Sequence, residues 1–443
     1  MKLHLPSTRF PSSEPSPLPS QDYLLGFRGL LVIQYFLFVF LQLFLPSTVA
    51  DSKDSEHIGV PLYQTILRKT LSVIFWNESL IYSFIIFLSA RTICLPFFAD
   101  PNRRVCASSI FRRGIRLWIP SAISLSLAAV IFSKFDNSTS VIAEFLTLTK
   151  NETAMTPLRL SSFLHAFNSL FDLFWTMKDY ASQAANRAFP SGTLWVISVL
   201  FQQSYTVYMT MIIAPYTRPS WRVKALLAFI STAWWVQSWA WYSISGLLVA
   251  DAVMHMDLKS RALSGWRFRV PFVERAARIP SWILYMLLIL AGLIMQYLFI
   301  AWRPEFRNQE VKGHTGLYNS GSLNQGVNLE QPLARDDTYL VVMGVGLMVE
   351  TYGWVQGVLR WRGLVGLGRR SFSVFLVQPL LVYTVGIKLF MHLQGLGWTH
   401  SLATLVSFIV CVPLVALGAE IFYRFVDLPS IWAAKRAFEF ITS

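Results

Sequence analysis

Charge is scarce in this chain: only 14% of its 443 residues are Asp, Glu, Lys or Arg, where a soluble domain carries about a quarter. Too few charges remain to cover a water-facing surface, which excludes an ordinary soluble globular protein. Cysteine is scarcer still. Cys94, Cys106 and Cys411 are the whole supply, and none lies in a long polar loop. No disulfide framework follows from them, and no metal-ligand spacing appears. The sequence also lacks an internal repeat and a pair of acidic residues at matched mid-span positions, the marks of many secondary transporters.

What is present is apolar and aromatic. Hydrophobic residues make up 54% of the chain, with 16 Trp, 16 Tyr and 34 Phe, enough for aromatic belts at both faces of a bilayer. The formal charge of +14 suggests nucleic acid at first sight. Its cations, however, cluster in short loops between apolar stretches, where topogenic signals belong, so no nucleic-acid partner is expected. The composition points to an all-α, polytopic transmembrane helix bundle in a lipid bilayer.

A helix needs about 20 apolar residues to cross the hydrocarbon. On that rule the spans fall near 24–46, 71–95, 115–133, 191–213, 224–238, 240–255, 282–302, 338–357, 371–392 and 402–425, ten in all. Residues 1–22, rich in Ser and Pro, read as a disordered cytosolic N-terminus without a removable signal peptide. Residues 23–427 form one transmembrane domain, and 428–443 a cytosolic C-terminus. Lys and Arg concentrate in the even-numbered loops, for example Arg103, Arg104, Arg112, Arg113 and Arg116 in the second. The positive-inside rule places those loops and both termini in the cytosol. Residues 134–190 and 303–337 then become long lumenal loops, the first with interfacial helices such as Leu160 to Met177, the second flexible. Asn137 and Asn151 head sequons in the first of these loops, which marks them as glycosylation sites and the chain as a glycoprotein. A multi-pass protein of the endoplasmic reticulum or another endomembrane is the expected setting.

Ionisable groups within spans cost about 2.5–3.5 kcal/mol each at mid-bilayer, so they are candidates for function. They are Arg28, Glu78, Arg91, Asp251, His255 and Glu420. The alternatives are plain: Arg28 and Arg91 can snorkel to headgroups, Glu78 can pair with a cation of a neighbouring helix, and Asp251 with His255 can be a helix-end charge pair. Arg113 and Arg116, three apart at the start of a span, share a helical face and can grip a phosphate through bidentate hydrogen bonds.

The run FRRGIRLWIP, which holds that arginine pair, resembles the Arg-x-x-Arg-Leu-aromatic-x-Pro element of the acyltransferase-3 family, multispanning O-acyltransferases that use cytosolic acyl-CoA. Other segments fall in the family's order along most of the chain: LGFRGLLVIQYFLFVF resembles its first span, FIIFLSARTICLPFF its second. Further on come GTLWVISVLFQQSY, ISGLLVAD, LGRRSFSVFLVQPLLV and the closing RFVDLPSI. The resemblance implies that Arg113 and Arg116 meet acyl-CoA and that Arg28 is the family's first-span arginine. It also exposes departures. The family's first-span histidine falls in the region of Phe38, Val39 and Phe40, its fourth-span glutamate at Leu200 and its ninth-span histidine at Gln378.

The function this implies is transfer of a short acyl group, acetyl by expectation, from acyl-CoA as co-substrate to a hydroxyl of a secondary metabolite or glycan. No permanently bound cofactor or metal is expected. With the usual base missing, His255 oriented by Asp251 is the substitute catalytic pair. A non-catalytic acyltransferase-like binding protein and a secondary transporter are the alternatives.

Overall fold

A computed structural model describes residues 21–50, 56, 58–134, 136–176, 179–268, 277–303, 306 and 331–442. Almost everything described is helix. Its strands are the short antiparallel hairpin Trp266–Phe268 with Ala277–Ile279. Within a bilayer this economy is forced, because a helix satisfies its own backbone N–H and C=O groups.

The main helices are α1 (Asp22–Phe44), α2 (Glu78–Ile93), α3 (Arg103–Lys134), α4 (Trp195–Ile213), α5 (Pro219–Trp235), α6 (Ala240–His255) and α7 (Ser281–Gln296). After them come α8 (Asp336–Thr351), α9 (Gly353–Leu359), α10 (Arg362–Arg369), α11 (Ser371–Leu381), α12 (Ile387–Gly395), α13 (His400–Phe422) and α14 (Leu428–Thr442). Seven helical stretches among the described residues are long and apolar enough to cross a membrane. The count is eight if α8 and α9, bent by 97° at Tyr352, make one broken span. The chain is thus a polytopic membrane bundle. The pair expected at 224–238 and 240–255 is indeed two helices, α5 and α6, but of 17 and 16 residues. At 1.5 Å per residue they reach roughly 24–26 Å, just short of a thin bilayer.

Helix ends meet as alternating passes require. The starts of α1 and the ends of α2 and α8 join where Tyr23 and Arg91 both bind Glu350, each at 2.8 Å. Arg222 at the start of α5 pairs with Asp251 at the end of α6, 2.7 Å apart. At the opposite end Trp234 of α5 donates to Asp336 of α8 (2.6 Å) and Tyr242 of α6 donates to the Arg335 carbonyl (2.6 Å). The first group of contacts marks the arginine-rich end of the bundle.

Glycine permits the closest approach. A Cβ added to Gly29 of α1 would lie 2.0 Å from the Leu364 carbonyl oxygen, and one added to Gly368 of α10 would lie 1.8 Å from that of Leu25. Small residues at such crossings let two backbones touch, which is how helices associate where lipid is as apolar as their side chains.

The first long loop is ordered rather than slack. It contains helices Asp136–Leu148 and Phe163–Trp175, the second capped by the Ser162 hydroxyl. Phe163, Phe167, Phe171 and Trp175, four apart on one face of that helix, are exposed, while Leu170, Leu173 and Phe174 are buried. That is the pattern expected for a helix lying on a membrane surface. Most of 303–337 and nearly all of 1–22 lie outside the described residues. Residues 428–443, expected as a tail, are mostly α14, which continues α13 through a π-helical turn at Tyr423–Asp427 and packs its Phe438 on Phe111 of α3.

One expectation is corrected here. Asn151 is not free to carry a sugar: its side chain is 6% exposed, and its amide nitrogen donates to the carbonyls of Gln42 (2.7 Å) and Leu43 (3.0 Å) at the end of α1. Those carbonyls have no partner inside the helix, so Asn151 acts as their cap. The side chain of Asn137 lies outside the described residues.

Candidate functional site

Residues 28, 31, 32 and 35 recur at helical spacing, so Arg28, Leu31, Val32 and Tyr35 share one face of α1. That face lines a cavity of about 540 Å³ at the arginine-rich end. α3 contributes Arg112, Arg113 and Arg116 to the same cavity, α10 contributes Arg369, and α14 contributes Ile431 and Ala434. The three arginines singled out in the sequence therefore converge although 85 residues separate Arg28 from Arg113 along the chain.

Hydroxyls and a carbonyl hold three of these guanidinium groups in place. Arg28 donates from Nη2 to Thr92 Oγ1 at 2.6 Å. Arg113 donates from Nε to Ser204 Oγ (2.9 Å) and from Nη2 to Ser89 Oγ (2.7 Å), so it bridges α4 and α2. Arg112 donates to the Ser108 carbonyl at 3.1 Å. None of the five cavity arginines forms an ion pair with a carboxylate among the described residues. Neutral partners orient a guanidinium without cancelling its charge, which leaves it available to an anion.

At the inner end Tyr35, 2% exposed, has its hydroxyl 3.1 Å from Thr193 Oγ1, which lies 3.2 Å from Ser191 Oγ. Ser191 has φ of 70°, a strained value for a residue other than glycine. Leu200 also lines the cavity. Phe38, Val39 and Phe40 are each 1% exposed and belong to the apolar core. Gln378 is fully buried and donates to the carbonyls of Tyr35 and Phe36, 3.4 Å to each. No histidine lines the cavity among the described residues.

His255 and Asp251 do form the expected pair, His255 Nδ1 to Asp251 Oδ1 at 2.8 Å. The pair does not line the arginine cavity, however. Asp251 is also bound to Arg222, and the His255 ring rests edge-on against Phe98. This is a helix-end charge cluster outside the lining of the arginine cavity, where a substitute base for the transfer was expected of it. The other in-span charges sort as follows. Arg91, fully buried, is paired with Glu350. Glu420 is shared by Arg370 and Arg424. Glu78 opens α2, where the positive end of the helix dipole favours a carboxylate.

Three features of this region were missed in the sequence. Arg112 and Arg369 counted only as topogenic cations, and nothing local distinguishes them from Arg103 or Arg362. Asp427 sat inside the quoted RFVDLPSI but was not singled out. It lines the cavity. Neither a protein-family model, nor a curated protein, nor a solved structure matches the chain. The class that fold and site define is a polytopic membrane helix bundle with a cavity lined by arginines that form no ion pair among the described residues.

Proposed function

We propose that this protein is a membrane-bound O-acyltransferase that takes a short acyl group, acetyl in the simplest case, from acyl-CoA and passes it to a hydroxyl of a secondary metabolite or glycan. One observation carries the reading: five arginines without carboxylate partners line a single cavity inside an apolar bundle. Arg28, Arg112 and Arg113 are half-buried and Arg116 and Arg369 exposed; like charges gathered round one cavity repel each other, and a ligand bearing several phosphates relieves that repulsion. The resemblance of FRRGIRLWIP and its companion segments to the acyltransferase-3 family supplies the identity of that ligand as acyl-CoA, entering from the cytosol at the arginine-rich end of a protein of the endomembranes.

In the transfer, the acceptor oxygen bonds to the thioester carbonyl carbon, the carbon–sulfur bond breaks, and the acceptor's proton ends on the departing CoA thiol. Arg28, Arg113 and Arg116 hold the phosphates and so fix the thioester deeper in the cavity. Holding two reactants in register is itself worth several kcal/mol of barrier. Among the described residues no histidine lines the cavity to take the proton, which lends weight to a second reading: a non-catalytic descendant that binds acyl-CoA or a similar ligand. Metabolite profiling of a strain lacking the protein separates the two. Accumulation of a free-alcohol precursor with loss of its ester supports the transferase. An unchanged ester profile, with CoA still bound by the purified protein, favours the binding protein.

A further inference from the structure

Asp427 is the only carboxylate among the described residues that line the arginine cavity. It ends the π-helical turn between α13 and α14, a backbone irregularity frequent at functional sites. The residue is 2% exposed, and its Oδ1 has no hydrogen-bond partner among the described residues. Arg116 and the Ser373 hydroxyl act on its charge, yet neither makes an ion pair or a hydrogen bond to Oδ1 by distance and angle. A buried carboxylate oxygen left without a donor is costly, by more than a neutral polar group.

We infer that Asp427 accepts a hydrogen bond from an N–H or O–H of the bound ligand, so that the cavity selects a phosphate-bearing molecule with a donor beside its phosphates over phosphate charge alone. The inference rests on the acyl-CoA reading. CoA fits the description: amide N–H groups and a hydroxyl follow its diphosphate along the pantetheine arm. Inorganic pyrophosphate has comparable charge but lacks that arm. The carboxylate thus plays opposite parts toward the two molecules. It repels both as anions, and it rewards most the one whose amide and hydroxyl donors reach it; pyrophosphate is donor-free once fully ionised, so the two are compared in alkaline buffer.

Calorimetric titration of the full-length, detergent-solubilised protein with CoA and with pyrophosphate tests this, comparing wild type with Asp427→Ala. Loss of the charge should tighten pyrophosphate, which also certifies a folded cavity. Loss of the acceptor should lower the ratio of CoA affinity to pyrophosphate affinity by about tenfold or more, the range for a hydrogen bond to a charged group. Asp427→Asn, which keeps the side chain's shape, carries the test if the alanine variant does not fold, with a smaller change in the same direction. An unchanged ratio, both ligands tightening alike, would reduce Asp427 to a background charge and overturn the inference. Wild-type protein that binds pyrophosphate but not CoA would instead sink the acyl-CoA reading.

Discussion

Two arginine environments lie at the same end of this bundle and are built on opposite principles. Arg91 is fully buried and gripped by Glu350 through both Nε (2.8 Å) and Nη2 (3.3 Å), with Tyr23 donating to the same carboxylate. Arg113, on the neighbouring helix, is half-buried and held only by two serine hydroxyls. The first arrangement is closed: charge, counter-charge and hydrogen bonds are supplied by the chain. The second is open, because its partner is neutral and a cavity lies beside it. The same residue type thus serves as a tie between α2 and α8 in one place and keeps its charge uncancelled beside a cavity in the other.

The largest effect should come from opening the closed site. Arg91→Ala or Glu350→Ala alone leaves one buried charge unpaired and should cost about 3–5 kcal/mol of stability. Replacing both by Met or Leu should cost far less, since the remaining residues bury no charge. Thermal unfolding in detergent measures this. Single variants that melt like wild type would erase the contrast between the two arginines.

The open site should respond in binding rather than stability. Arg113→Ala or Arg116→Ala should weaken CoA by about ten- to a hundredfold, as loss of a charge-assisted contact of about 1.5–3 kcal/mol predicts, with little change in melting. Equal CoA affinity in both folded variants would leave these arginines only a topogenic role.

A smaller loss is expected at Asn151, whose amide caps α1. Asn151→Ala should destabilise the protein by about 1–3 kcal/mol through the exposed carbonyls of Gln42 and Leu43. Its electrophoretic mobility without glycosidase treatment should match that of wild type, as expected if the buried, hydrogen-bonded amide carries no sugar. A glycan found there in folded protein would contradict the buried amide.

The smallest effect is predicted for His255→Ala. The residue is 38% exposed in its side chain and does not line the arginine cavity, so CoA affinity should stay close to that of wild type. A tenfold loss of turnover with normal CoA binding would restore His255 to the reaction.

The sequence by itself determined that this is a membrane-crossing all-helical chain, because twenty-residue apolar runs have no other stable fate in water or lipid. It also singled out Arg28, Arg113 and Arg116, since charge inside an apolar run stands out on its own line of text. It placed the ends of α6 and the break between α5 and α6 closely. What it left open are relations between segments far apart in the chain. Glu350 reads as an ordinary residue near a span's end until α8 brings it against Arg91, 259 positions away. Asn151 reads as a sugar acceptor until the fold sets its amide under the last carbonyls of α1. Asp251 and His255 are neighbours on any helix, but whether they face the arginines depends on how α6 is rotated and where it packs. Arg369 and Asp427 became cavity residues only because Gly29 and Gly368 let α1 and α10 touch, and because a π-turn carries α13 on into α14. Pair formation, burial and cavity lining are properties of packed surfaces, and only the tertiary structure decides which surfaces meet.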